Sequence, residues 1–313
     1  MEEREYRIRP MVEADLPEVE KIFRLALGSF VGLPRPEEFS GDASIPRCRF
    51  LTHPQGTLVC EREGEIVGSN FLSSWGSFGL FGPLSVKPGL QNQGVGKALL
   101  ERTLPLFAEC GIRQKGIFTF PHSAKHLALY ARYGFFPQTL NLVLARDLKG
   151  QPPPLTPPEL LASLPPSERG EAIALCRLLC ERIYPGLDLS REIESVERHG
   201  WGETVLLREG SVLKGFALCH RGAGTEAGSG VLYVKFGAAD GPESFAALLQ
   251  RVFQLAALKG TGKVVTGVNL SREGVYRTLM GRGFRIEVIG VAMQSPNLPG
   301  FNRRDVWVMD DWR

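Results

Sequence analysis

Three short stretches recur in the same order along the two halves of this chain, so a duplicated unit is the strongest constraint the sequence places on the fold. Arg62-Glu63-Gly64 returns as Arg208-Glu209-Gly210, Leu84-Ser85-Val86-Lys87 as Leu232-Tyr233-Val234-Lys235, and Gly134-Phe135 as Gly283-Phe284, at shifts of 146 to 149 residues. The length of 313 residues is close to twice a common domain size. Between the halves runs Lys149-Gly150-Gln151-Pro152-Pro153-Pro154-Leu155-Thr156-Pro157-Pro158, followed by Pro165-Pro166, a proline density that reads as an extended linker. The expected organisation is a first domain over 1–149, a linker over 150–168 and a second domain over 169–313.

Composition narrows the function classes. Hydrophobic residues make up 43% of the chain, enough to bury a sizeable core, and the net charge is only +3. There is no Lys/Arg run, so nucleic acid is not expected as the main partner. The chain starts Met1-Glu2-Glu3-Arg4-Glu5, acidic where a secretion signal would be basic, and no later stretch has 18 consecutive apolar residues. A cytoplasmic protein without a membrane partner is expected. The six cysteines (Cys48, Cys60, Cys110, Cys176, Cys180, Cys219) read as reduced core residues. Cys176 and Cys180 lie one helical turn apart without a histidine or second pair at zinc-ligand spacing, so no metal site is expected. Nothing in the sequence fixes the oligomeric state.

The first half alternates strand and helix signals. Residues 6–10 read as a strand, and Asp15 can cap a helix with Pro17 in its first turn and Leu16, Val19, Ile22, Phe23 and Ala26 on one face. A hairpin turns at Glu63-Gly64 between 57–62 and 65–73. The strand 78–86 is interrupted by Gly82-Pro83, where the ladder should open because proline has no N–H to give. A helix with Leu99, Leu100, Leu104 and Phe107 as its buried stripe follows, and Pro105 should kink it or end it early. Then come a strand over 116–120 and a helix over 123–133 that stops at Gly134. This is an α/β layered pattern.

The chemistry-bearing run is Val86-Lys87-Pro88-Gly89-Leu90-Gln91-Asn92-Gln93-Gly94-Val95-Gly96-Lys97-Ala98. A strand feeding a glycine turn and a helix aims backbone N–H groups and the positive helix end at one point, which suits an anion. A dinucleotide fingerprint would need glycine at position 99, which is Leu99. A Walker A loop would need glycine at 91 and Ser or Thr at 98, which are Gln91 and Ala98.

The pattern at Val86, Pro88, Gln91, Gly94, Gly96, Leu99 and Leu100 resembles motif A of the GNAT family of acetyl-coenzyme A dependent N-acetyltransferases. About 30 residues on, Ser123 to Phe135 resembles the family's motif B, matched at Leu129, Tyr130, Gly134 and Phe135, with Ser123 replacing the usual Asn and His126 the usual Ala. The resemblance covers residues 4–148 closely and the second half in outline. It implies an α/β (α+β layered) fold of two tandem acetyltransferase-like domains, each a central mixed sheet flanked by helices.

The resemblance also implies a reaction: an acetyl group passes from acetyl-CoA, as co-substrate, to a primary amine of a small molecule or peptide, by direct attack in a ternary complex. The pyrophosphate would rest on the backbone of Gln93, Gly94, Val95, Gly96, Lys97 and Ala98, with Gln91, Asn92 and Ser123 nearby. The pantetheine arm would pair like an extra strand with Leu84, Ser85 and Val86. A backbone N–H near Val86 would stabilise the thioester oxyanion, and Tyr130 would protonate the leaving thiolate, a role its neutral phenol can fill. For the base, His122 is the first candidate and Glu37 or Glu38 the next, with a water relay equally open. The acceptor would be read by residues 24–54, which carry no diagnostic pattern. A non-catalytic acyl-CoA sensor and a structural protein remain the alternatives.

In the second half, the shift of 148 places Ala239, Pro242 and Ser244 opposite Gln91, Gly94 and Gly96. Pro242 lacks an N–H, and Asp240 and Glu243 would repel a phosphate. Asn269 and Tyr276 precede Gly283-Phe284 as a loose counterpart of motif B. A degenerate second domain without a cofactor loop is expected.

Overall fold

Strand and helix signals alternate through both halves, and each apolar face finds a partner in one mixed sheet. The computed structural model describes residues 6–148 and 156–312. The first half runs β1 (Arg7–Pro10), α1 (Leu16–Phe30), α2 (Ile45–Thr52), β2 (Thr57–Arg62), β3 (Glu65–Trp75), β4 (Phe78–Phe81), β5 (Ser85–Val86), α3 (Val95–Glu109), β6 (Gln114–Thr119), α4 (Ala124–Arg132) and β7 (Phe136–Asp147). The second runs β8 (Glu159–Leu160), α5 (Pro166–Ile183), α6 (Ser190–His199), β9 (Gly202–Glu209), β10 (Val212–Gly222), β11 (Gly228–Ala239), α7 (Pro242–Leu258), β12 (Lys263–Asn269), α8 (Glu273–Gly281), β13 (Arg285–Ser295) and β14 (Trp307–Asp310).

The halves do not close separately. The strand order is β1-β2-β3-β4-β6-β13-β7-β12-β11-β10-β9-β8, with β5 on β3 and β14 on β11. Strand β13 enters the first half and pairs with β6, Val291 opposite Thr119. Strand β7 enters the second half and pairs with β12, Leu142 opposite Val268. Their side chains follow them. Val291 and Met293 pack under α3 and α4 with Leu100, Phe107 and Tyr130, while Leu142 and Leu144 pack under α7 and α8 with Leu248, Val252 and Leu279. The two halves thus complete each other's cores.

A buried charge network joins them a second time. Glu192 on α6 accepts hydrogen bonds from His53 Nε2 (3.1 Å), Trp75 Nε1 (3.0 Å) and Lys235 Nζ (2.8 Å). Lys235 also reaches Glu226 at 2.7 Å, and Glu226 takes Arg49 Nε at 3.1 Å. Burial alone would push both carboxyls up, but the facing cations win: Glu192 is held well below the usual range and Glu226 at about 2. Two buried cations facing two buried anions keep the network neutral, a condition for burying charge at tolerable cost.

Several local expectations are corrected. Asp15 precedes α1 without capping it, because its carboxylate is taken by Arg9 (2.6 and 2.8 Å) and by the Val12 N–H. Helix α3 runs through Pro105 to Glu109; Pro105 is exposed, so water can satisfy the carbonyl that loses its N–H partner. Residues 150–155 of the expected linker lie outside the described residues. The remainder is not an extended linker, since β8 pairs with β9 and α5 begins at Pro166, where a missing N–H costs nothing. All six cysteines are unpaired, and Cys110 is exposed at the end of α3 rather than in the core.

His220 on β10 is fully buried beside Trp201, with neither ring nitrogen hydrogen-bonded, and burial lowers its pKa to about 4. The folded pKa lies below that of the unfolded chain, about 6.5, so this group's contribution to stability is complete above that pH. It is lost as pH falls toward about 4. Chemical denaturation across this window should show stability falling, by up to about 3 kcal/mol from this group. The slope should flatten in His220→Phe; an unchanged slope would show that His220 titrates normally.

Candidate active site

The site begins where two parallel strands part. β4 pairs with β6 from Phe78–Gln114 to Leu80–Gly116, and then the chain reaches Gly82-Pro83, which cannot continue the ladder. β6 carries on to Thr119, whereas β5 stays with β3 through Gly68–Val86 and Ser69–Ser85. The other edge of β5 has no strand partner among the described residues. A wedge therefore opens between β5 and the end of β6, with α1 against β5 on one side.

The glycine run enters α3 beside that wedge. Gly94 is the residue before the helix, in a left-handed conformation (φ 97°) with no side chain to cap the first turn. The loop is tied back on itself: Gln91 Oε1 accepts the Gly89 N–H at 2.8 Å, Gln93 Nε2 donates to the Gly89 carbonyl at 3.0 Å, and the Gln93 carbonyl accepts the Tyr6 hydroxyl at 2.9 Å. Asn92 is exposed at φ 64°. Gly96 has ordinary helical backbone, and a Cβ there would meet Leu84 at 3.4 Å and Val86 at 3.8 Å. Val95 is buried, and Lys97 is exposed near Glu101. The Ala98 N–H donates to the Gly94 carbonyl at 2.9 Å, which removes it from the expected anion-binding set.

Tyr130 is buried beside the end of β4, in the cluster under α3 and α4. Its ring packs edge-on against Phe81, the last residue of β4, at 5.6 Å, and its hydroxyl has no hydrogen-bond partner among the described residues. Burial raises the pKa of the phenol, so it stays protonated at neutral pH. His122 is exposed and stacks on Phe30, the last residue of α1, at 5.8 Å. Ser123 caps α4 by accepting the His126 N–H. Glu37 and Glu38 are exposed on a short helical turn, and Glu38 pairs with Arg35 at 2.7 Å. His126 went unremarked as a functional group in the sequence; it lies one turn before Tyr130, the i, i+4 spacing that puts two side chains on one helix face.

Residues 53–137 match the family model described as the acetyltransferase (GNAT) domain. The chain carries a GNAT domain. No curated protein matches it in sequence. Among solved structures it is similar to a provisionally assigned acetyltransferase from Pyrococcus horikoshii (TM-score 0.70, 16% identity, 98% of this chain and 95% of that one). It is also similar to a GCN5-related N-acetyltransferase from Sphaerobacter thermophilus (TM-score 0.61, 18% identity, 93% and 95%). A third is a tandem GNAT protein from the clavulanic acid biosynthesis pathway (TM-score 0.56, 15% identity, 93% and 98%). At these identities the likeness is one of fold, and it spans both halves.

The second half differs from the GNAT domain of the first in three places. Gly215 pairs with Ala239 as Gly68 pairs with Val86, so Ala239 is the counterpart of Val86, and the echo at Leu232 is out of register. Between that strand and the next helix stand only Asp240 and Gly241, against Lys87 to Gly94 in the first half. The counterpart of the glycine loop is deleted rather than substituted. Helices α4 and α8 each end before a left-handed Gly (Gly134, Gly283), which makes Leu279 the counterpart of Tyr130, in place of Tyr276. Finally, β11 pairs with β12 only over Val231–Tyr233, and the parting beyond is filled by β14, Ala239 opposite Trp307 and Phe236 opposite Asp310. Arg272 fastens β14 through Asp310 (2.7 Å) and the Val308 carbonyl (2.8 Å).

GNAT enzymes in general use acetyl-CoA, and Gly94→Val tests whether the first-half loop receives it. A side chain at φ 97° is strained, and it would stand beside the uncapped helix end. Calorimetry should show acetyl-CoA affinity at least about tenfold weaker than the parent's; parental affinity would remove the loop from the site.

Proposed function

We propose that the chain is an N-acetyltransferase that moves the acetyl group of acetyl-CoA to a primary amine of a small molecule or peptide by direct attack in a ternary complex. One observation carries this reading: where the β4–β6 ladder ends, β5 has an edge without a strand partner among the described residues, α3 starts uncapped at Gly94, and Tyr130 packs on Phe81, the last residue of β4. The catalytic unit is residues 1–149, completed by β13, and residues 169–313 act as a scaffold whose own wedge is filled.

The pyrophosphate rests on the N–H groups at the start of α3, over Gly94 to Lys97, and the pantetheine arm lies along Leu84 to Val86 as an added strand. Among the described residues no strand pairs with that edge of β5 and no side chain caps that helix end, and the glycines keep side chains off the loop. A backbone N–H at Val86 then faces the thioester oxygen, where charge develops as the amine attacks. The carbon–nitrogen bond forms, the carbon–sulfur bond breaks, and Tyr130 gives its proton to the departing sulfur. Most of the acceleration comes from holding amine and thioester together.

The test is acetylation of an amine panel by the full chain, followed by thiol release. Tyr130→Phe keeps the ring against Phe81 and removes only the hydroxyl. Turnover should fall about 100-fold or more while acetyl-CoA affinity changes little. Turnover within about threefold of the parent, at unchanged thermal stability, would make Tyr130 a packing residue.

A further inference from the structure

The end of α1, the end of β6 and the first turns of α4 meet in a chain of rings beside Tyr130. Phe30 lies 5.0 Å from Phe120, 5.8 Å from His122 and 5.2 Å from His126, between ring centroids, and His126 lies 6.3 Å from Tyr130. Phe30, Phe120 and His126 are each partly exposed, so the rings form a wall at the open end of the wedge rather than a closed core. Neither ring nitrogen of His126 is hydrogen-bonded to any described residue. Its backbone is fixed by the Ser123 cap and its ring by Phe30 on one side and Tyr130 on the other.

We infer that His126 takes the proton from the acceptor's ammonium group, as the base that complements Tyr130. The inference rests on the acetyltransferase reading above. In the tetrahedral adduct, the attacking nitrogen and the leaving sulfur are bonded to one carbon. Their acid and base must therefore approach from neighbouring points, each within about 3 Å of its own atom. One turn of α4 provides that spacing.

The protons balance as follows. R–NH3+ gives one proton to His126, and the free amine attacks the thioester carbon. When the adduct collapses, the sulfur leaves as a thiol with the Tyr130 proton, and the nitrogen's surplus proton restores the phenol. His126 returns its proton to water, so the net products are the amide, CoA and one proton.

Two further facts favour His126 over His122. His122 is exposed, whereas His126 is half-buried and its pKa is lowered below that of free imidazole, first by burial and then by the charges of Lys125 and His122. A base in that state is neutral and ready at neutral pH. The titratable groups around it are Lys125, His122 and Tyr130, while α1 meets it through uncharged Phe30.

The experiment compares His126→Gln, His126→Ala and His122→Gln in the full chain, on an amine the parent accepts, with acetyl-CoA affinity and thermal stability measured alongside. For His126→Gln, kcat/KM at neutral pH should fall about 100-fold or more, with affinity for acetyl-CoA within about threefold, and the acidic limb of the pH profile should move toward the amine's own ionisation. Added imidazole should restore part of the rate of His126→Ala, which a packing role would not allow. His122→Gln should keep kcat/KM at neutral pH within about threefold of the parent, with the acidic limb moving only by the small effect of the lost His122 charge on His126. Retention of rate and acidic limb by His126→Gln overturns the inference alone, as does transfer of those losses to His122→Gln. A parent that binds no acetyl-CoA, or acetylates no amine of the panel, overturns the acetyltransferase reading and this inference with it.

Discussion

The exchange of β7 and β13 is the constraint on which the rest of the molecule depends. Each strand carries apolar residues that pack under the helices of the opposite half, and together they turn two partial sheets into one. Leu142 and Leu144 have no core to enter without α7 and α8, and the helix that presents Tyr130 packs on Val291 and Met293 from the other end of the chain. The network of Glu192, Glu226, Lys235, Arg49 and His53 ties α2 and β3 to α6 and β11 in the same sense. The first half's site therefore stands on a frame that both halves build.

That frame explains how a repeated unit gives two unequal wedges. In both halves a parallel pair of strands parts beyond its first few residues. In the first half, a loop of eight residues from Lys87 to Gly94 leads into an uncapped helix, and the strand edge beside it is unpaired. In the second, the loop is reduced to Asp240-Gly241 and the chain's own β14 supplies the missing strand. Backbone groups need partners wherever water is excluded, so each exposed edge must be met by something. One is met by β14, and the other has no strand partner among the described residues.

Much of this was legible in the sequence, for identifiable reasons. Gly82-Pro83 announces the parting of the strands because proline cannot donate, and Gly94 announces a left-handed turn before α3. Motif spacing located Tyr130. The strand exchange is not legible, because β7 and β13 carry similar apolar patterns that do not mark which core each enters. The echo at Leu232 does not give the register of the repeat, because apolar strand residues resemble one another at several offsets; the shared geometry of Gly134 and Gly283, each at the end of a helix, is the more dependable marker. Nothing in the sequence singles out His126, because its contact with Phe30 joins residues remote in sequence and near only in space.

On the proposed function, the wedge of the first half is open to acetyl-CoA and that of the second is filled by β14. Calorimetric titration of the full chain with acetyl-CoA measures this directly. One site per chain is expected; two equivalent sites, or none, would rule out an open first wedge beside a filled second one.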